Sequence, residues 1–390
     1  MTTIRLLAAD GGTTEVELNG SGAYARPAAP LQSRVAYAAA HVVPKAHAEN
    51  TPGRPADIDW DATLSFRRNV YSWGLGVADA MDTAQRNMGL DAAATRELIA
   101  RSAEVAREEG GSVVVGVNTD HVDEERIPLA QIIDAYTEQL HFTEEQGAGP
   151  VLMASRHLAR AAESAEDYRR VYDAVLSKAT TPVVLHWLGT AFDPQLEGYF
   201  GASDWQTASR TLLEIIGTNP GKVAGVKMSL LNAESEVTVR SQLPEGVRMF
   251  TGDDFNYVGL IGGGTVGQGE GRSDALLGAF AAITPVASAA IQALDAGDPA
   301  RYLEILGPTE ELSRQVFAAP TFFYKTGVAF LAWLNGHQPA FQMVGGLHSA
   351  RSLPHLSRIV ELANASLAFE DPELARERWH GMLALNGVGA

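Results

Sequence analysis

Lys227 is the residue whose type and position most clearly suggest chemistry. It lies near the end of a short apolar run from Val223 to Ser229 (VAGVKMS), and turn residues precede this run at 219–221. Side chains alternate along a strand, so Gly225 and Lys227 share one face. Burial on an inner face lowers the pKa of a lysine, and a neutral lysine amine can form a Schiff base with a carbonyl. The run is also compatible with a strand-end lysine whose ammonium reaches solvent.

Other polar side chains lie at the ends of predicted strands or just beyond them. They are His41, Asp82, Thr83, Arg86, Asp120, His121, His157, His186 and Asp253. Catalytic groups of barrels built from alternating strands and helices lie at the carboxyl ends of the strands. Imidazole can transfer protons near neutral pH without a large pKa shift. We therefore expect these side chains to converge with Lys227 on one mouth.

The elements that would position these residues follow from apolar segments that alternate with helical patterns. The predicted strands are 36–43, 74–81, 112–117, 150–154, 182–188, 223–228, 247–251 and 258–262. This α/β pattern and the length of 390 residues favour a (β/α)8 TIM barrel over 35–300. An N-terminal extension with a β-hairpin occupies 1–34, and extra helices that pack on the barrel occupy 301–390. No G-x-G-x-x-G motif follows the first strand to favour a dinucleotide-binding fold.

Composition limits the partners of the chain. The sequence has no cysteine, which excludes disulfides, thiolate catalysis and cysteine metal ligands. Its net charge of −17 argues against nucleic-acid binding. No apolar run reaches the roughly 18 residues of a membrane span, and the first residues lack a secretory pattern. We expect a cytoplasmic protein that binds a small-molecule substrate and neither nucleic acid nor membrane.

Five segments resemble, in order and spacing, motifs of the dihydrodipicolinate synthase and N-acetylneuraminate lyase superfamily of class I pyruvate aldolases. They are Ile58 to Thr63 (IDWDAT), Val223 to Ser229, Phe250 to Asp254 (FTGDD), Gly262 to Gly264, and Tyr324 to Phe330 (YKTGVAF). The resemblance spans roughly residues 35–350. It implies a barrel, Schiff-base chemistry on Lys227 and a homo-oligomer, commonly a dimer or tetramer.

The segment that aligns with the superfamily's carboxylate-binding G-T-T-G-E loop departs from it. The aligned residues run from Asp82 to Arg86, and only Thr83 keeps a hydroxyl of the motif. Ala84 and Gln85 replace the second threonine and the glycine. Arg86 offers a replacement contact to a carboxylate or phosphate, or it is a solvated loop arginine.

Two tyrosines of the superfamily align with histidines here. The catalytic tyrosine after the fourth strand falls on His157, and a tyrosine of the fifth strand falls on His186. These exchanges indicate a divergent branch of the superfamily. They leave the reaction class possible, because imidazole also transfers protons.

The leading prediction is a lyase or aldolase that forms a Schiff base through Lys227. It would cleave a carbon–carbon bond or dehydrate a keto acid or a keto-sugar-derived substrate without a cofactor, and the polar mouth suggests carbohydrate metabolism. His157 would transfer the proton, with Thr83 as relay. The predicted substrate-binding residues are Arg86, His121, His186, Asp253 and Asp82.

Two alternatives remain open from the sequence. The first is a metal-dependent lyase, isomerase or epimerase that holds a divalent ion such as Mn²⁺ or Zn²⁺. Its ligands would be Asp120, His121, His157 and His186, with Asp82 nearby, although no H-x-H or H-E-x-x-H spacing supports them. The second is a non-enzymatic barrel that regulates by binding a ligand.

Overall fold

A closed barrel of eight parallel strands occupies the centre of the computed structural model, which describes residues 2–267 and 270–388. An antiparallel hairpin precedes the barrel, as predicted, and consists of β1 (Thr3–Leu7) and β2 (Thr13–Glu17). The barrel strands are β3 (Ala36–Ala39), β4 (Gly76–Asp79), β5 (Val113–Val117), β6 (Gly149–Leu152), β7 (Val183–Leu188), β8 (Val223–Ser229), β9 (Arg248–Thr251) and β10 (Asp274–Leu277). Each strand pairs with the next along the chain, and β10 pairs with β3 to close the barrel. The predicted (β/α)8 fold is confirmed.

The predicted eighth strand is wrong. Residues 258–262 lie in a helix, and the eighth strand is the four-residue segment β10. A short apolar run fits a buried helix as well as a buried strand, because periodicity cannot distinguish them over five residues. The true strand is too short to show a period.

Helices connect the strands and cover the outside of the barrel. Up to β10 they are α1 (Trp60–Ser72), α2 (Ala92–Glu109), α3 (Leu129–Glu145), α4 (Arg156–Ala161), α5 (Ala165–Lys178), α6 (Trp205–Thr218), α7 (Ala233–Arg240) and α8 (Tyr257–Gly262). The sequence sets their ends locally: Asp59 and Asp91 accept backbone N–H bonds at the starts of α1 and α2. Gly110 ends α2 with φ of 63°, a conformation that glycine adopts without strain.

A buried ion pair fixes α1 against the barrel. Both terminal oxygens of Asp79, at the end of β4, accept from Arg67 at 2.8 and 2.9 Å. Arg67 also donates to the carbonyls of His41 and Thr63, so its charge is surrounded by acceptors. Such pairing is needed because neither side chain is exposed. The pair holds the ends of the first two barrel strands near the site described below.

Helices after β10 complete the chain. They are α9 (Gly278–Ala282), α10 (Thr284–Asp295), α11 (Pro299–Leu306), α12 (Thr309–Val316), α13 (Tyr324–Leu334), α14 (Leu353–Ala365) and α15 (Pro372–Leu385). The N-terminal hairpin packs on the last two of them. Leu7 N–H donates to Ser357 of α14, and the indole of Trp379 in α15 donates to the carbonyl of Arg5. Residue 1 and residues 389–390, which belong to the predicted flanking segments, lie outside the described residues.

Candidate active site at the carboxyl end of the barrel

Lys227 lies on the sixth barrel strand and points into the barrel. Its strand register places it between His186 of β7 and Phe250 of β9. Phe250 belongs to the apolar cluster that fills the barrel interior, together with residues such as Val184 and Leu276. The side chain of Lys227 is buried, with 7% of the residue exposed. The structure therefore favours the inner-face interpretation over a lysine that reaches solvent.

Gly252, the residue after β9, leaves the space that Lys227 occupies. A methyl group at this position would lie 3.0 Å from Cε of Lys227 and 2.2 Å from Oγ of Ser229. Both distances are too short for an unstrained contact. The glycine of the predicted FTGDD turn is thus required chiefly by the close approach of Ser229, and it also leaves room for the end of the lysine side chain.

We expect Gly252→Ala to displace Lys227 and to slow any reaction of its amine by on the order of 10²-fold, the cost of roughly 1 Å of misplacement. The rate of imine trapping by borohydride, measured by intact mass spectrometry, checks this. Gly217→Ala in α6 is the matched control, because a methyl group there meets nothing within 4 Å. Equal rates in the two variants would show that Gly252 does not position the lysine.

The protein environment favours the neutral form of the Lys227 amine more than water does. Burial lowers the pKa of Lys227, and the nearby carboxylates of Asp82 and Asp254 oppose this effect in part. Asp82 follows β4 in a short 3-10 helix, Asp82–Ala84, and Asp254 follows β9. The lysine therefore has a lowered pKa and two carboxylates within electrostatic range.

Asp254 is a buried carboxylic acid whose pKa is strongly affected by its surroundings. Burial raises its pKa to about 7, while a hydrogen bond of 2.8 Å from the N–H of Ala279 and the charge of Lys227 act in the opposite direction. Near neutral pH this carboxyl group exchanges a proton readily. Asp254 was part of the predicted turn but not of the predicted site.

A pair of hydroxyl groups faces the same region. Oγ1 of Thr83 lies 2.8 Å from the phenol oxygen of Tyr324, the first residue of α13. The ring of Tyr324 stacks on Phe317 at 4.3 Å between centroids and contacts the edge of Phe192. Burial raises the pKa of Tyr324 well above its usual range, and the charges of Asp82 and Asp254 add to this. The phenol therefore stays protonated and can pass a proton through Thr83.

Tyr324 is the functional candidate that sequence reasoning missed. It was noted only as part of a C-terminal motif, and it lies 241 residues from its partner Thr83. Asp82 acts electrostatically on Tyr324 and on Lys227, which places the three groups in one neighbourhood. The only signal in the sequence was the position of the motif at the start of a late helix.

His186 is fully buried beside Lys227. Its Nε2 lies 3.2 Å from Oγ of Ser229, and its Nδ1 has no hydrogen-bond partner within 2–267 and 270–388. Burial and the charge of Lys227 hold the pKa of His186 well below its usual range. A neutral imidazole with an unpaired buried nitrogen is suited to bind a polar substrate group. Its predicted role in substrate binding agrees with this geometry but stays a prediction.

The geometry does not support the predicted acid–base role of His157. Its Nδ1 lies 2.8 Å from Oγ1 of Thr119, and its Nε2 lies 2.8 Å from the carbonyl oxygen of Glu124. The carbonyl can only accept, so Nε2 carries the proton and Nδ1 accepts from the threonine. Both nitrogens are thus used inside the protein. The sequence showed that a histidine follows a strand, but it did not show that a loop carbonyl accepts the hydrogen bond of this histidine.

Arg86 is not available for a substrate anion, contrary to the prediction. Its donors bond to both carboxylate oxygens of Asp120, to the carbonyls of Ala80 and Gly116, and to Oε1 of Gln139. These acceptors engage all of its N–H directions. Burial alone would raise the pKa of Asp120, but the charge and hydrogen bonds of Arg86 outweigh it and hold the pKa below its usual range. Arg86 therefore braces the loop after β4.

Two further residues that were predicted to bind substrate form hydrogen bonds with other protein groups. Nδ1 of His121 lies 2.8 Å from the amide nitrogen of Gln139. Asp253 accepts from the backbone N–H groups of Phe255 and Asn256, and from the side chain of Asn256 at 2.8 Å. Burial raises the pKa of Asp253. The contacts of Asp253 shape the turn after β9, and the contact of His121 joins the loop after β5 to α3. None of these contacts involves Lys227.

The alternative metal site does not form. The four predicted ligands are held by different partners, and the part of the chain that the structure describes contains no group of three or more His, Cys, Asp or Glu side chains arranged to hold an ion. The partners of the four are Arg86 for Asp120, Gln139 for His121, Thr119 for His157 and Ser229 for His186. Each of the four residues thus has a hydrogen-bond partner within the protein, and of their buried polar atoms only Nδ1 of His186 is left unpaired among the described residues.

A cavity of about 770 Å³ lies elsewhere, among the helices at the end of the chain. Its lining includes Trp333, Phe341, Met382 and Arg378. The lining is mainly apolar, with charged side chains of both signs, and no lysine is among its lining residues. We place the candidate active site at Lys227 instead, because a buried amine, two acids and a hydroxyl pair lie together there.

Solved structures of dihydrodipicolinate synthases have the same fold. The enzyme of Bacillus clausii superposes with a TM-score of 0.62 at 12% identity, covering 86% of this chain and 98% of that chain. The enzyme of Aquifex aeolicus gives 0.58 at 13% identity, covering 91% and 99%. The 4-hydroxy-tetrahydrodipicolinate synthase of Methylacidiphilum fumariolicum gives 0.60 at 13%, covering 92% and 99%. The resemblance seen in the motifs is therefore confirmed in the fold.

The protein thus has the α/β barrel fold of the dihydrodipicolinate synthases, with a buried lysine on its sixth strand. It belongs to the family described as "Protein of unknown function (DUF993)", which matches residues 4–388. No curated protein matches its sequence. Over 2–267 and 270–388, none of the helices has the length and apolar character to cross a membrane.

Proposed function

We propose that this protein is a Schiff-base-forming lyase or aldolase that acts on a keto acid or a keto-sugar-derived substrate through Lys227. The observation that carries the proposal is the buried position of Lys227 on the inner face of β8, with a lowered pKa and space cleared by Gly252. A neutral amine in such a site is a nucleophile for a carbonyl carbon.

The reaction begins when the amine of Lys227 adds to the substrate carbonyl. The carbinolamine that forms loses one water molecule and becomes a protonated imine. This cation accepts the electrons of a neighbouring bond and becomes an enamine. In a cleavage, a carbon–carbon bond supplies the electrons, the hydroxyl on the departing carbon loses its proton and becomes a carbonyl, and a proton added to the enamine restores the imine. In a dehydration, a C–H bond supplies the electrons and gives its proton to a base, and the enamine then expels a hydroxyl, which takes up a proton and leaves as water. Hydrolysis of the imine then returns the lysine, and no external oxidant or reductant is needed.

Protons move through the hydroxyl pair of Thr83 and Tyr324 in this proposal. The pair takes the role that the sequence suggested for His157, because the hydrogen bond of 2.8 Å joins two protonated hydroxyls near the lysine. Asp254, with a pKa of about 7, can take the proton that Lys227 loses. The unpaired Nδ1 of His186 is suited to a hydroxyl group of the substrate.

Borohydride trapping tests the proposal on the wild-type protein. The protein is incubated with a panel of keto acids and keto sugars, and borohydride then reduces any imine to a stable secondary amine by adding hydride to its carbon. We expect one adduct, which peptide mapping assigns to Lys227. Samples without ketone or without borohydride are the controls.

Two results would contradict this function. One is the absence of an adduct with every member of the panel. The other is labelling that maps only to exposed lysines, such as Lys178, at rates expected of free amines. The homo-oligomer, the absence of a cofactor and the cytoplasmic location stay predictions, which light scattering, metal analysis and fractionation address.

A further inference from the structure

A second buried lysine lies at the same mouth. Lys325 is the second residue of α13, and only 2% of it is exposed. Its Nζ contacts the sulfur of Met88 at 3.3 Å and the carbonyl oxygen of Phe322 at 3.1 Å, and it lies 4.8 Å from the ring centre of Tyr324. Met88 belongs to the loop after β4. The ammonium is therefore held between α13 and the loop that carries Thr83.

The ammonium of Lys325 is poorly satisfied by these contacts. An ammonium has three N–H donors, whereas this one meets a single strong acceptor, since a thioether accepts hydrogen bonds only weakly. Burial lowers its pKa to about 8, and the charges of Asp82 and Asp193 at longer range oppose this. Near neutral pH the group is still mostly protonated. A buried cation that lacks acceptors is costly for the fold unless a ligand supplies them.

Position links this cation to the reacting amine. Asp82 acts electrostatically on both Lys325 and Lys227, so both lysines lie within range of one carboxylate. Lys227 must lose its charge to attack a carbonyl, and therefore cannot also bind an anion. Arg86, the anion ligand predicted from the sequence, is engaged by the protein in all directions. The mouth thus needs another cation if its substrate is charged.

We propose that Lys325 is the anion-binding residue of this site and that the carbonyl substrate carries a carboxylate or phosphate group. This inference rests on the proposed function, because it assigns the substrate class of the same site. The oxygens of the anion accept hydrogen bonds from the N–H groups of Lys325 that lack strong acceptors. This contact orients the carbonyl of the substrate toward Lys227. The charge selects anionic over neutral ketones.

Arg156 is the competing cation. It begins α4, its Nε donates to Asp193 at 2.6 Å, and its side chain is 30% exposed. A charge at this depth is screened by water and selects anions weakly. Lys325 is the stronger candidate because its charge is buried and its acceptors are incomplete.

The test compares trapping rates for two matched pairs of ketones. Pyruvate and pyruvamide differ in a carboxylate, and dihydroxyacetone phosphate and dihydroxyacetone differ in a phosphate. We expect Lys325→Met to slow trapping of the anionic member of one pair by on the order of tenfold to hundredfold, the effect of losing a charged hydrogen bond. The neutral member should change by less than about twofold. A selective loss in the pyruvate pair identifies a carboxylate as the bound anion, and a selective loss in the dihydroxyacetone pair identifies a phosphate.

Controls separate this role from a structural one. Lys325→Gln should show the same loss of charge selectivity if Lys325→Met folds poorly, and thermal unfolding verifies both variants. Lys222→Met is the matched control, since Lys222 bonds the carbonyl of Ala179 at 2.8 Å where β8 begins, at the other end of the barrel.

The outcomes distinguish the two proposals. An adduct at Lys227 whose rates fall equally for charged and neutral ketones in Lys325→Met overturns the anion-binding role and leaves the Schiff-base function intact. A charge-selective loss in Arg156→Gln without one in Lys325→Met also overturns it. The absence of any wild-type adduct overturns the proposed function and this inference with it.

Discussion

Lys227→Arg is expected to abolish imine formation while the barrel stays folded. A guanidinium remains charged at any accessible pH and does not add to carbonyls, whereas it keeps the positive charge between Asp82 and Asp254. No borohydride adduct should form. Exchange of the methyl protons of a bound keto acid with deuterium from heavy water should fall to the background rate, because that exchange passes through the imine.

The control for this variant is Lys222→Arg, which changes a lysine at the opposite end of the barrel. Circular dichroism and thermal unfolding verify the fold of both. Retained exchange in Lys227→Arg would reject Lys227 as the nucleophile. Peptide mapping would then show whether Lys325, whose pKa burial lowers to about 8, forms the adduct instead.

The pH dependence of trapping follows from the same pKa shifts. Burial lowers the pKa of Lys227, so the neutral fraction of its amine increases as the pH rises through that lowered value. The trapping rate should rise with pH and reach a plateau below the range of an ordinary lysine, whose pKa is about 10.4. Asp254 ionises near pH 7 and opposes the loss of the proton, which broadens the transition.

Local sequence patterns were sufficient for the elements that place Lys227. The apolar run, its turn residues and the glycine of the next turn are short-range features. Alternation along the strand places Lys227 on the same face as Gly225, while the choice between the inner face and solvent needed the fold. The helix ends at Asp59, Asp91 and Gly110 follow from capping chemistry in the same way. Each of these features needs only neighbouring residues.

The availability of a side chain could not be predicted, because it depends on partners that are distant in the sequence. Arg86 looked free until the fold brought Asp120, Gln139 and two carbonyl groups to it. His157 similarly meets a carbonyl of the preceding loop. A histidine or arginine at a strand end marks the correct edge of the barrel. Only the packed loops decide whether its donors remain for a substrate.

The helices after the barrel supply what the strand ends lack. Tyr324 and Lys325 start α13 and reach the mouth from outside the eight strand–helix units. In the sequence they appeared only as part of a motif to which no role could be assigned. The contact that suggests a role joins Tyr324 to Thr83, which is 241 residues away. The site therefore combines a nucleophile on a barrel strand with a proton-transfer group and a cation on a late helix.

Tyr324→Phe is expected to reduce exchange of substrate protons by on the order of 10²–10⁴-fold, the usual cost of losing an acid–base group. The ring keeps its stacking on Phe317 and its edge contact with Phe192, so the change removes the hydroxyl alone. The borohydride adduct should still form, although more slowly, because the amine of Lys227 is intact. Deuterium exchange measured by NMR separates these two steps.

Thr83→Val tests whether the two hydroxyls act as one unit. If the proton passes along the hydrogen bond of 2.8 Å, the double variant should be about as slow as the slower single variant. Effects that multiply would indicate two independent roles. If Tyr324→Phe exchanges substrate protons at the wild-type rate but melts at a lower temperature, the hydroxyl pair has no part in proton transfer. It would then be only a structural contact between α13 and the loop after β4. Nδ1 of His186 would then be the next group to test, because it lies beside Lys227 and has no partner among the described residues.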